Sequence, residues 1–516
     1  MARRSTPAAR LRRLLVGPDP APATCYATRR VFLSLLGVIY AVAFASLWAQ
    51  VHGLIGSEGV LPARDYLAGA AAELGGAAWH RVPTVLWVGA SDAALHALCA
   101  AGVGVGVALA LGLAPLPCLA LLWALYLSAV AVGGIFFGYQ WDGLLLECGL
   151  LAIFFAPTGL RPDWRGGTPP SRLVLLLLRW LLFRLMFLSG AGKLLSGDPT
   201  WADGTALEYH YWTQPLPHLG SYLAHQLPAA FHRLSTAATL AIEGIVPFLV
   251  FGPRRLRRLA FAAFAGLLLL IVLTGNYGFF EPLALVLCLC LLDDRDLHAL
   301  RPRRWRGKAP TPPPAPPARV GPRSVLTAAF AACALLLSAV PTGQRLGLWS
   351  EPPEALRPLV RLAGPLRSFN GYGLFTVMTT TRPEIVVEGS RDGREWRAYE
   401  FRWKPGRLDR PPGWTALHMP RLDWQMWFAA LGGGRPASWY PAFVLRLLEG
   451  SPWVLGLLEA NPFPDGPPRY VRSTRFRYRF TTPAERAASG RWWRRERPGP
   501  YGPTLELVAG RLQRVR

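Results

Sequence analysis

Apolar residues of this chain fall into long runs separated by short polar stretches. A straight transmembrane helix needs about 20 such residues. Some runs are shorter, and Glu243 and Glu281 interrupt two of them, so the pattern determines the number of spans only to within one or two. It predicts a polytopic α-helical membrane bundle of about nine spans, near residues 30–49, 88–112, 117–137, 143–157, 172–191, 236–251, 259–274, 278–292 and 324–341.

The last third of the chain has a different pattern. RPEIVVEGSRDGREWRAYEFRWKPG predicts two strands joined by a turn at Asp392-Gly393, and YVRSTRFRYRF alternates as a half-exposed strand does. LDWQMWFAALG and YPAFVLRLLEGSPWVLGLLEANP between them predict helices, and Trp424, Trp427 and Phe428 share one helix face. We expect a mainly-β, sandwich-like C-terminal domain with a helical insertion.

A proline-rich stretch, PTPPPAPPA at 310–318, separates the main bundle from the last apolar run and is typical of a linker. The expected organisation is a cytoplasmic basic N-terminus (1–28), a transmembrane helical bundle (29–300) with an external segment (192–235), a Pro/Arg-rich linker (301–323), a last transmembrane helix (324–341) and an external β-rich domain (342–516).

Composition agrees with a membrane protein. Of 516 residues, 52% are hydrophobic and 17% are charged, and the mean hydropathy is +0.24, which argues against a large soluble enzyme. The net charge of +25 could indicate nucleic acid. Because the arginines lie mostly between apolar runs and in the tail, we expect them to orient the protein against membrane lipid, with no nucleic-acid partner.

The arginine clusters test the topology. With nine spans and a cytoplasmic N-terminus, every cluster falls on the cytoplasmic side, whereas loop 50–83, segment 192–235 and the tail fall outside. The excess of Arg over Lys, with abundant Ala, Gly and Pro, indicates GC-rich coding and a bacterial inner membrane, and the first run is expected to stay uncleaved. The clusters are Arg3 to Arg13, Arg161 to Arg172, Arg254 to Arg258, and Arg295 to Lys308.

The cysteines indicate no special chemistry. Nearly all seven lie in or beside apolar runs, and none forms a CxxC, so neither a disulfide framework nor a zinc finger is predicted. Four of the nine histidines fall in the external segment, where Pro228 interrupts their helical spacing. We expect polar contacts in an external cap rather than a metal site, and no cofactor. These histidines are His210, His218, His225 and His232.

The segment 183–218 holds the densest group of ionisable and aromatic residues beside an apolar run. Polar groups at membrane depth are expensive and suggest a site. Lys193 is the only lysine before Lys308, and a desolvated lysine, unlike arginine, can lose its proton. It is therefore a candidate intramembrane base; the alternative is a lysine that snorkels to the membrane surface.

Two carboxylates enter the fourth apolar run. Asp142 and Glu147 are five residues apart, which on a helix is about 140° of rotation, so they do not form a facing acid/base pair. We expect them to pair with Arg179, Arg184 or Lys193 on the next span.

Near the end of the chain, RWWRRERP (491–498) mixes arginine with tryptophan. Nucleic-acid and lipid-headgroup surfaces use this mixture. An ordinary edge strand carries it as well, and this is the interpretation we favour.

Several long segments resemble the lipase maturation factors. The resemblance implies a polytopic protein that helps secreted lipases reach an active, assembled state, with a large non-cytoplasmic C-terminal domain; the studied relatives act in the endoplasmic reticulum. The segments are 139–157, 193–218, 225–232, 275–280, 287–294, 370–396, 420–432 and 447–472, among them YQWDGLLLECGLLAIFFAP, KLLSGDPTWADGTALEYHYWTQPLPH and NGYGLFTVMTTTRPEIVVEGSRDGREW.

A second, local resemblance covers only 189–207, SGAGKLLSGDPTWADGTAL. It is similar to a segment of the vitamin K-dependent carboxylase and related HTTM membrane proteins. There a lysine at the position of Lys193 acts as the base, followed by a tryptophan and a glycine at the places of Trp201 and Gly204.

Three hypotheses follow. The first is a non-enzymatic maturation factor for a secreted lipase or another exported client. The Trp and Phe residues of 424–428 and 439–463 could offer it apolar contact if they are exposed; the alternative is that they form core. The second is an intramembrane enzyme acting on a lipid, quinone-like or protein substrate, with Lys193 as base and Asp142, Glu147 or His210 orienting it. The third is a structural membrane protein whose tail binds a partner. Candidate client or structural residues are Trp201, Glu208, Tyr209, His210, Gln214, Asn276, Tyr277, Trp424 and Trp427.

Overall fold

A computed structural model describes residues 24–164, 167–300 and 321–515. Nine helices follow the nine apolar runs in order, and 3₁₀ turns at Val246–Phe251 and Leu289–Leu291 extend α6 and α8. They are α1 (Tyr26–Trp48), α2 (Asp92–Leu111), α3 (Pro115–Val132), α4 (Gln140–Phe155), α5 (Arg172–Leu195), α6 (Ala229–Gly244), α7 (Arg254–Thr274), α8 (Phe280–Cys288) and α9 (Pro322–Arg345).

Seven of these helices are long and apolar enough to cross a membrane, which makes this an integral membrane protein. The two others, α4 and α8, are shorter than a straight span. The predicted count of nine spans is therefore not confirmed.

Small residues allow α1 and α2 to pack closely. A Cβ atom added to Gly37 would lie 2.5 Å from the Ala110 backbone nitrogen, and one added to Gly106 would lie 2.8 Å from that of Ala41. Close backbone approach through glycine is a usual source of helix association in membranes, where the hydrophobic effect is absent.

One end of the bundle gathers the predicted cytoplasmic ends of the helices. The Tyr26 amide donates to Asp294 (2.8 Å), and Arg323 donates to the Ala156 carbonyl (2.7 Å). Arg254 and Arg258 at the start of α7 both pair with Asp296. These basic helix ends lie together, as the arginine pattern requires. The cluster Arg3 to Arg13, Arg165 and the linker 301–320 lie outside the described residues.

The tail lies at the opposite end of the bundle and contains one antiparallel sheet. Its strand order is β2-β1-β3-β5-β6, and β4 pairs with β3. The predicted turn is present, because Asp392 accepts from the amides of Arg394 and Glu395, and Gly393 has φ +74°. The strands are β1 (Arg382–Ser390), β2 (Arg397–Tyr399), β3 (Tyr470–Phe480), β4 (Trp493–Pro500), β5 (Leu505–Val508) and β6 (Arg511–Arg514).

The predicted sandwich is not confirmed. The described strands belong to one sheet, and α10 (Arg421–Leu431) packs against β1 while α11 (Tyr440–Glu449) packs against β3 and β5. The buried side of α11 presents Phe443, Val444 and Leu447 to the core. Alternation along a strand predicts a half-covered sheet but does not say whether a helix or a second sheet covers it.

Short helices complete the connections between these elements. Those of seven residues or more that help to place the site are Ala63–Leu74, Ala206–Thr213, Leu219–His225, Asp294–Leu300, Arg357–Ala363 and Pro483–Ser489.

Candidate functional site

Three buried pairs of opposite charge lie at the tail-facing end of the bundle. We call them the ion-pair layer: Asp142 with Arg421, Glu147 with Arg184, and Lys193 with Glu243. Removing a charge from water costs several kcal/mol. These side chains are therefore held only because each has a partner of opposite sign and further hydrogen bonds.

Asp142 joins the bundle to the tail. Arg421, the first residue of α10, donates to its two carboxylate oxygens at 2.7 and 2.9 Å and to the Phe136 carbonyl at 2.6 Å. The Tyr126 hydroxyl also donates to the same carboxylate, at 2.5 Å. The expectation that Asp142 pairs with the next span was wrong, because its partner comes from the tail.

Glu147 makes the pair that was expected. It accepts from Arg184 on α5, and also from the Tyr372 hydroxyl at 2.7 Å and the Asn370 amide at 3.2 Å. Arg184 in turn donates to the Asn370 carbonyl at 2.9 Å. The segment that precedes β1 therefore contacts both members of this pair.

Lys193 is 4% exposed and lies near the end of α5. Its ammonium group donates to Glu243 of α6 at 2.5 Å, and to the Leu374 carbonyl at 3.0 Å. It also lies 5.1 Å from the centre of the Trp201 ring. Neither Asp142 nor Glu147 orients Lys193, since both carboxylates have other partners; the hypothesis that they do so was wrong.

The tail shapes this site with an unusual backbone. Phe375 has φ 50°, a left-handed conformation that costs energy for a residue other than glycine. Its carbonyl accepts from the Trp201 indole at 3.1 Å, and the carbonyl before it accepts from Lys193. The strained residue thus presents two successive carbonyls to the site.

His210 lies beside the lysine on helix Ala206–Thr213. Its ring packs edge-on against Phe375 (4.8 Å), and its Nε2 lies 3.4 Å from the Tyr277 hydroxyl. That hydroxyl donates to Gln214 at 2.7 Å. Burial, with the nearby Lys193 ammonium, lowers the pKa of His210 to about 4, so the ring is neutral at pH 7.

The other candidates make structural contacts. Asn276 donates to the Gly413 carbonyl at 2.8 Å, and Trp427 donates to the Thr213 carbonyl at 3.0 Å. Trp424 packs 5.9 Å from the Tyr277 ring. Glu208 pairs loosely with the exposed Arg233 at 3.7 Å, and Tyr209 packs against the buried cluster of Trp201, Ala206 and Met378.

The four external histidines do not converge. His218 caps helix Leu219–His225 by accepting from the Gly220 amide at 2.9 Å. His225 packs against Phe480 and His232 against Tyr211. Across residues 24–164, 167–300 and 321–515, no three His, Cys, Asp or Glu side chains are grouped to hold a metal ion.

Three charged residues that hold the site together were not predicted from the sequence as site residues. Glu243 had a signal, since it interrupts an apolar run, and the cost that singled out Lys193 applies to it equally. Arg421 had none, as it is one arginine among many in the tail. Arg382 pairs with Glu384 inside the tail and donates to the Pro215 carbonyl at 2.8 Å, which fastens β1 to the external segment.

Known protein families match both the bundle and the tail, which the ion-pair layer connects. Residues 27–299 match the family model of the lipase maturation factor transmembrane domain, and residues 368–503 match the model of the lipase maturation factor C-terminal domain. The chain belongs to the lipase maturation factor family. Asp142 lies in the first matched range and Arg421 in the second, so the ion-pair layer joins the two family domains.

Individual relatives match over nearly the whole chain. Mouse lipase maturation factor 2 is 37% identical over 595 residues, covering 93% of this chain and 83% of the relative. Human lipase maturation factor 2 is 37% identical over 598 residues, covering 93% and 82%. Bovine lipase maturation factor 1 is 35% identical over 505 residues, covering 93% and 89%. No solved structure gives a significant match.

The family assignment confirms the longer of the two resemblances. The shorter one, to the carboxylase segment, has no match among these relatives. In this member of the family, Lys193 is a buried ammonium group paired with the Glu243 carboxylate.

The site predicts a pH dependence of stability. His210 has a folded pKa of about 4 against an ordinary 6.5, so protons bind the unfolded chain first as the pH falls. The neutral His210 ring therefore contributes fully to the free energy of unfolding above pH 6.5. This contribution is lost as the pH falls from 6.5 to 4, by up to roughly 3 kcal/mol. Thermal unfolding of the purified protein between pH 7.5 and 4.5 measures this slope.

The matched variant for this measurement is His210→Gln, which cannot titrate. Buried His225 and His418 also have a pKa lowered to about 4, so the variant should keep part of the slope. An unchanged slope in the variant would show that His210 is not held neutral in the fold.

Proposed function

We propose that this chain is an integral membrane protein that assists the folding, assembly or maturation of secreted lipases or other exported proteins. The observation that carries the proposal is identity to named lipase maturation factors over 93% of the chain. The match includes both the bundle and the tail. A protein with this name is expected to act on a lipase client, so the client class follows from the family.

The maturation role needs no chemistry at Lys193. Its ammonium is 4% exposed and held by Glu243 and the Leu374 carbonyl. A catalytic base must be reachable by its substrate and must have an unprotonated nitrogen that can accept a proton. The relatives offer no support for an enzyme. We therefore assign Lys193 to positioning the tail segment 374–375 on α5.

We also propose the orientation of the chain. Nine crossings with a cytoplasmic N-terminus place segment 192–235 and residues 342–516 outside, where an exported client is found. Support comes from the basic helix ends, which lie together at the end of the bundle opposite the tail. For a bacterial chain the membrane is the inner membrane.

The client-contact residues need revision. Trp424 and Trp427 are buried, so they support the tail rather than meet a client. Trp414, Phe428 and Trp453 are exposed on the tail. Large aromatic side chains that are exposed to solvent are typical of protein interaction sites. We propose these three as the apolar contacts for an unfolded or unassembled client.

Deletion of the gene from its own host tests the proposed function. The measured quantity is lipase activity divided by lipase antigen in the exported fraction, since a maturation factor changes the active share of the client. We expect this ratio to fall several-fold in the deletion strain and to recover with the wild-type chain. An unchanged ratio for every exported lipase of the host contradicts the proposal.

The contact residues are tested in the same strain. The double variant Trp414→Asp/Phe428→Asp should lower the activity ratio toward that of the deletion, while the amount of protein in the membrane stays normal. Leu362→Asp is the control, because Leu362 is also an exposed apolar residue of the tail, on helix Arg357–Ala363. Wild-type activity of the double variant would remove these residues from the client surface.

A further inference from the structure

The positive charge of the tail is concentrated at its end. Residues 469–516 contain thirteen arginines and three glutamates, with no lysine and no aspartate. Guanidinium groups are suited to phosphate, which they bind through two parallel hydrogen bonds. The proposed maturation role does not explain this block of charge.

Helix Leu219–His225 lies at the end of span α7. The Ser221 hydroxyl donates to the Thr274 carbonyl at 2.8 Å, and the His218 ring lies 3.3 Å from the Val272 carbonyl. These contacts fix the helix beside the last turn of α7. The contact with α7 uses its polar side and leaves its apolar side outward.

Three exposed leucines, the leucine row, lie on this helix and just past its end. Leu219 and Leu223 are 47% and 58% exposed and share one helix face at a four-residue interval. Leu227, just past the helix end at His225, is 42% exposed. Exposed apolar side chains lie next to the row on the adjacent spans, namely Leu269, Leu270 and Leu273 near the end of α7 and Leu234 near the start of α6.

The connection between β3 and β4 packs on the same short helix. Tyr222 meets Phe480 and Trp492 with ring centres 5.2 and 5.0 Å apart, and Gln226 donates to the Thr481 carbonyl at 3.3 Å. The connection contains helix Pro483–Ser489. The arginine-rich end of the tail is therefore anchored beside the leucine row.

Arginines surround this contact. Arg486 lies 3.4 Å from the centre of the Trp492 ring, and Arg491 and Arg494 are exposed. Glu485 pairs with Arg479 and Arg494, so two guanidinium groups share one carboxylate. A surface with leucines at one level and excess arginine next to it has the make-up of an interfacial membrane anchor.

We propose that the leucine row (Leu219, Leu223, Leu227) and the arginines of the β3–β4 connection (Arg486, Arg491, Arg494) form a bilayer-surface anchor for acidic phospholipids. The leucines insert among the acyl chains, and the guanidinium groups bind the headgroup phosphates. The commitment to lipid rests on the continuity of the leucine row with the lipid-facing spans. The anchor holds the tail sheet against the bilayer on whichever side the tail lies.

Hydrogen–deuterium exchange of the full chain in nanodiscs tests the anchor. Nanodiscs of phosphatidylcholine alone are compared with nanodiscs containing phosphatidylglycerol. Attraction of one arginine to an acidic bilayer surface stabilises the bound segment enough to slow its amide exchange about fivefold. We therefore expect amides in 219–227 and 482–494 to exchange at least about fivefold more slowly in the acidic bilayer.

Two matched variants separate the anchor from general charge attraction. Arg491→Gln/Arg494→Gln should abolish the lipid-dependent protection. Arg511→Gln/Arg514→Gln removes the same charge from β6, which joins the sheet through β5 at the opposite end of β3. This variant should retain the lipid-dependent protection. Equal exchange in both bilayers, or equal loss in both variants, overturns the proposal. Because the readout is local protection, it is independent of lipase maturation.

Discussion

Replacing Arg421 with leucine is expected to lower the free energy of unfolding by about 3–5 kcal/mol. The guanidinium holds both oxygens of Asp142 and the Phe136 carbonyl in a buried place. Leucine leaves that carboxylate in the interior without a positive charge. The loss also weakens the contact between the tail and the bundle, because Arg421 belongs to α10 and Asp142 to α4.

Thermal unfolding and limited proteolysis of the detergent-purified protein measure this effect. We expect a lower transition temperature and earlier cleavage between bundle and tail. Asp142→Asn added to Arg421→Leu should recover part of the loss, because it removes the uncompensated charge. Arg407→Leu is the control, since the Arg407–Asp409 pair is largely exposed and should leave the transition unchanged. A wild-type transition for Arg421→Leu would show that this pair does not join the two domains.

Replacing Lys193 with alanine is expected to reduce both stability and lipase maturation, and removing its partner as well should restore them. Lys193→Ala leaves Glu243 buried without compensation, a loss of about 3–5 kcal/mol. The double variant Lys193→Met/Glu243→Leu replaces the pair with apolar side chains of similar volume, which is often neutral or stabilising.

This comparison separates a structural lysine from a chemical one. The amount in the membrane, the transition temperature and the exported-lipase activity ratio are measured for both variants beside wild type. The structural assignment predicts recovery of all three in the double variant. If the double variant folds as wild type and still fails to support lipase activity, Lys193 performs chemistry and the assignment is wrong.

The helices of the bundle could be predicted because the bilayer imposes them. In a lipid environment each backbone donor and acceptor must be satisfied within its own segment, so apolar length translates into helix. All nine runs became helices, even those interrupted by Glu243 and Glu281. Strands β1, β2 and β3 of the tail were predicted from their local sequence pattern, whereas β5 and β6 were not predicted.

The pairing of charges could be predicted only between neighbours in sequence. The expected partners on the next span included Arg184 for Glu147, and these two residues are 37 positions apart on successive helices. Asp142 and Arg421 are 279 residues apart, and no local pattern marks one arginine of the tail above the others. Glu243 could have been found as the partner of Lys193, because both are charges inside apolar runs.

The direction of an amphipathic face was the remaining ambiguity. The spacing of Trp424, Trp427 and Phe428 predicts a shared face but not whether it meets a core or a client. In the structure Trp424 and Trp427 are buried, while Phe428 is exposed beside the Tyr139 ring. Which residues of such a helix face are buried and which are exposed is therefore determined by the tertiary fold and not by their spacing.

The most direct measurement of the proposed function is the refolding yield of a denatured exported lipase from the same host. The lipase is diluted into buffer with the chain in nanodiscs, with the Arg421→Leu variant in nanodiscs, or with empty nanodiscs, and no cofactor is added. A maturation factor that acts through binding predicts a several-fold higher yield of active lipase with the wild-type chain than with the other two. An equal yield in all three would contradict it.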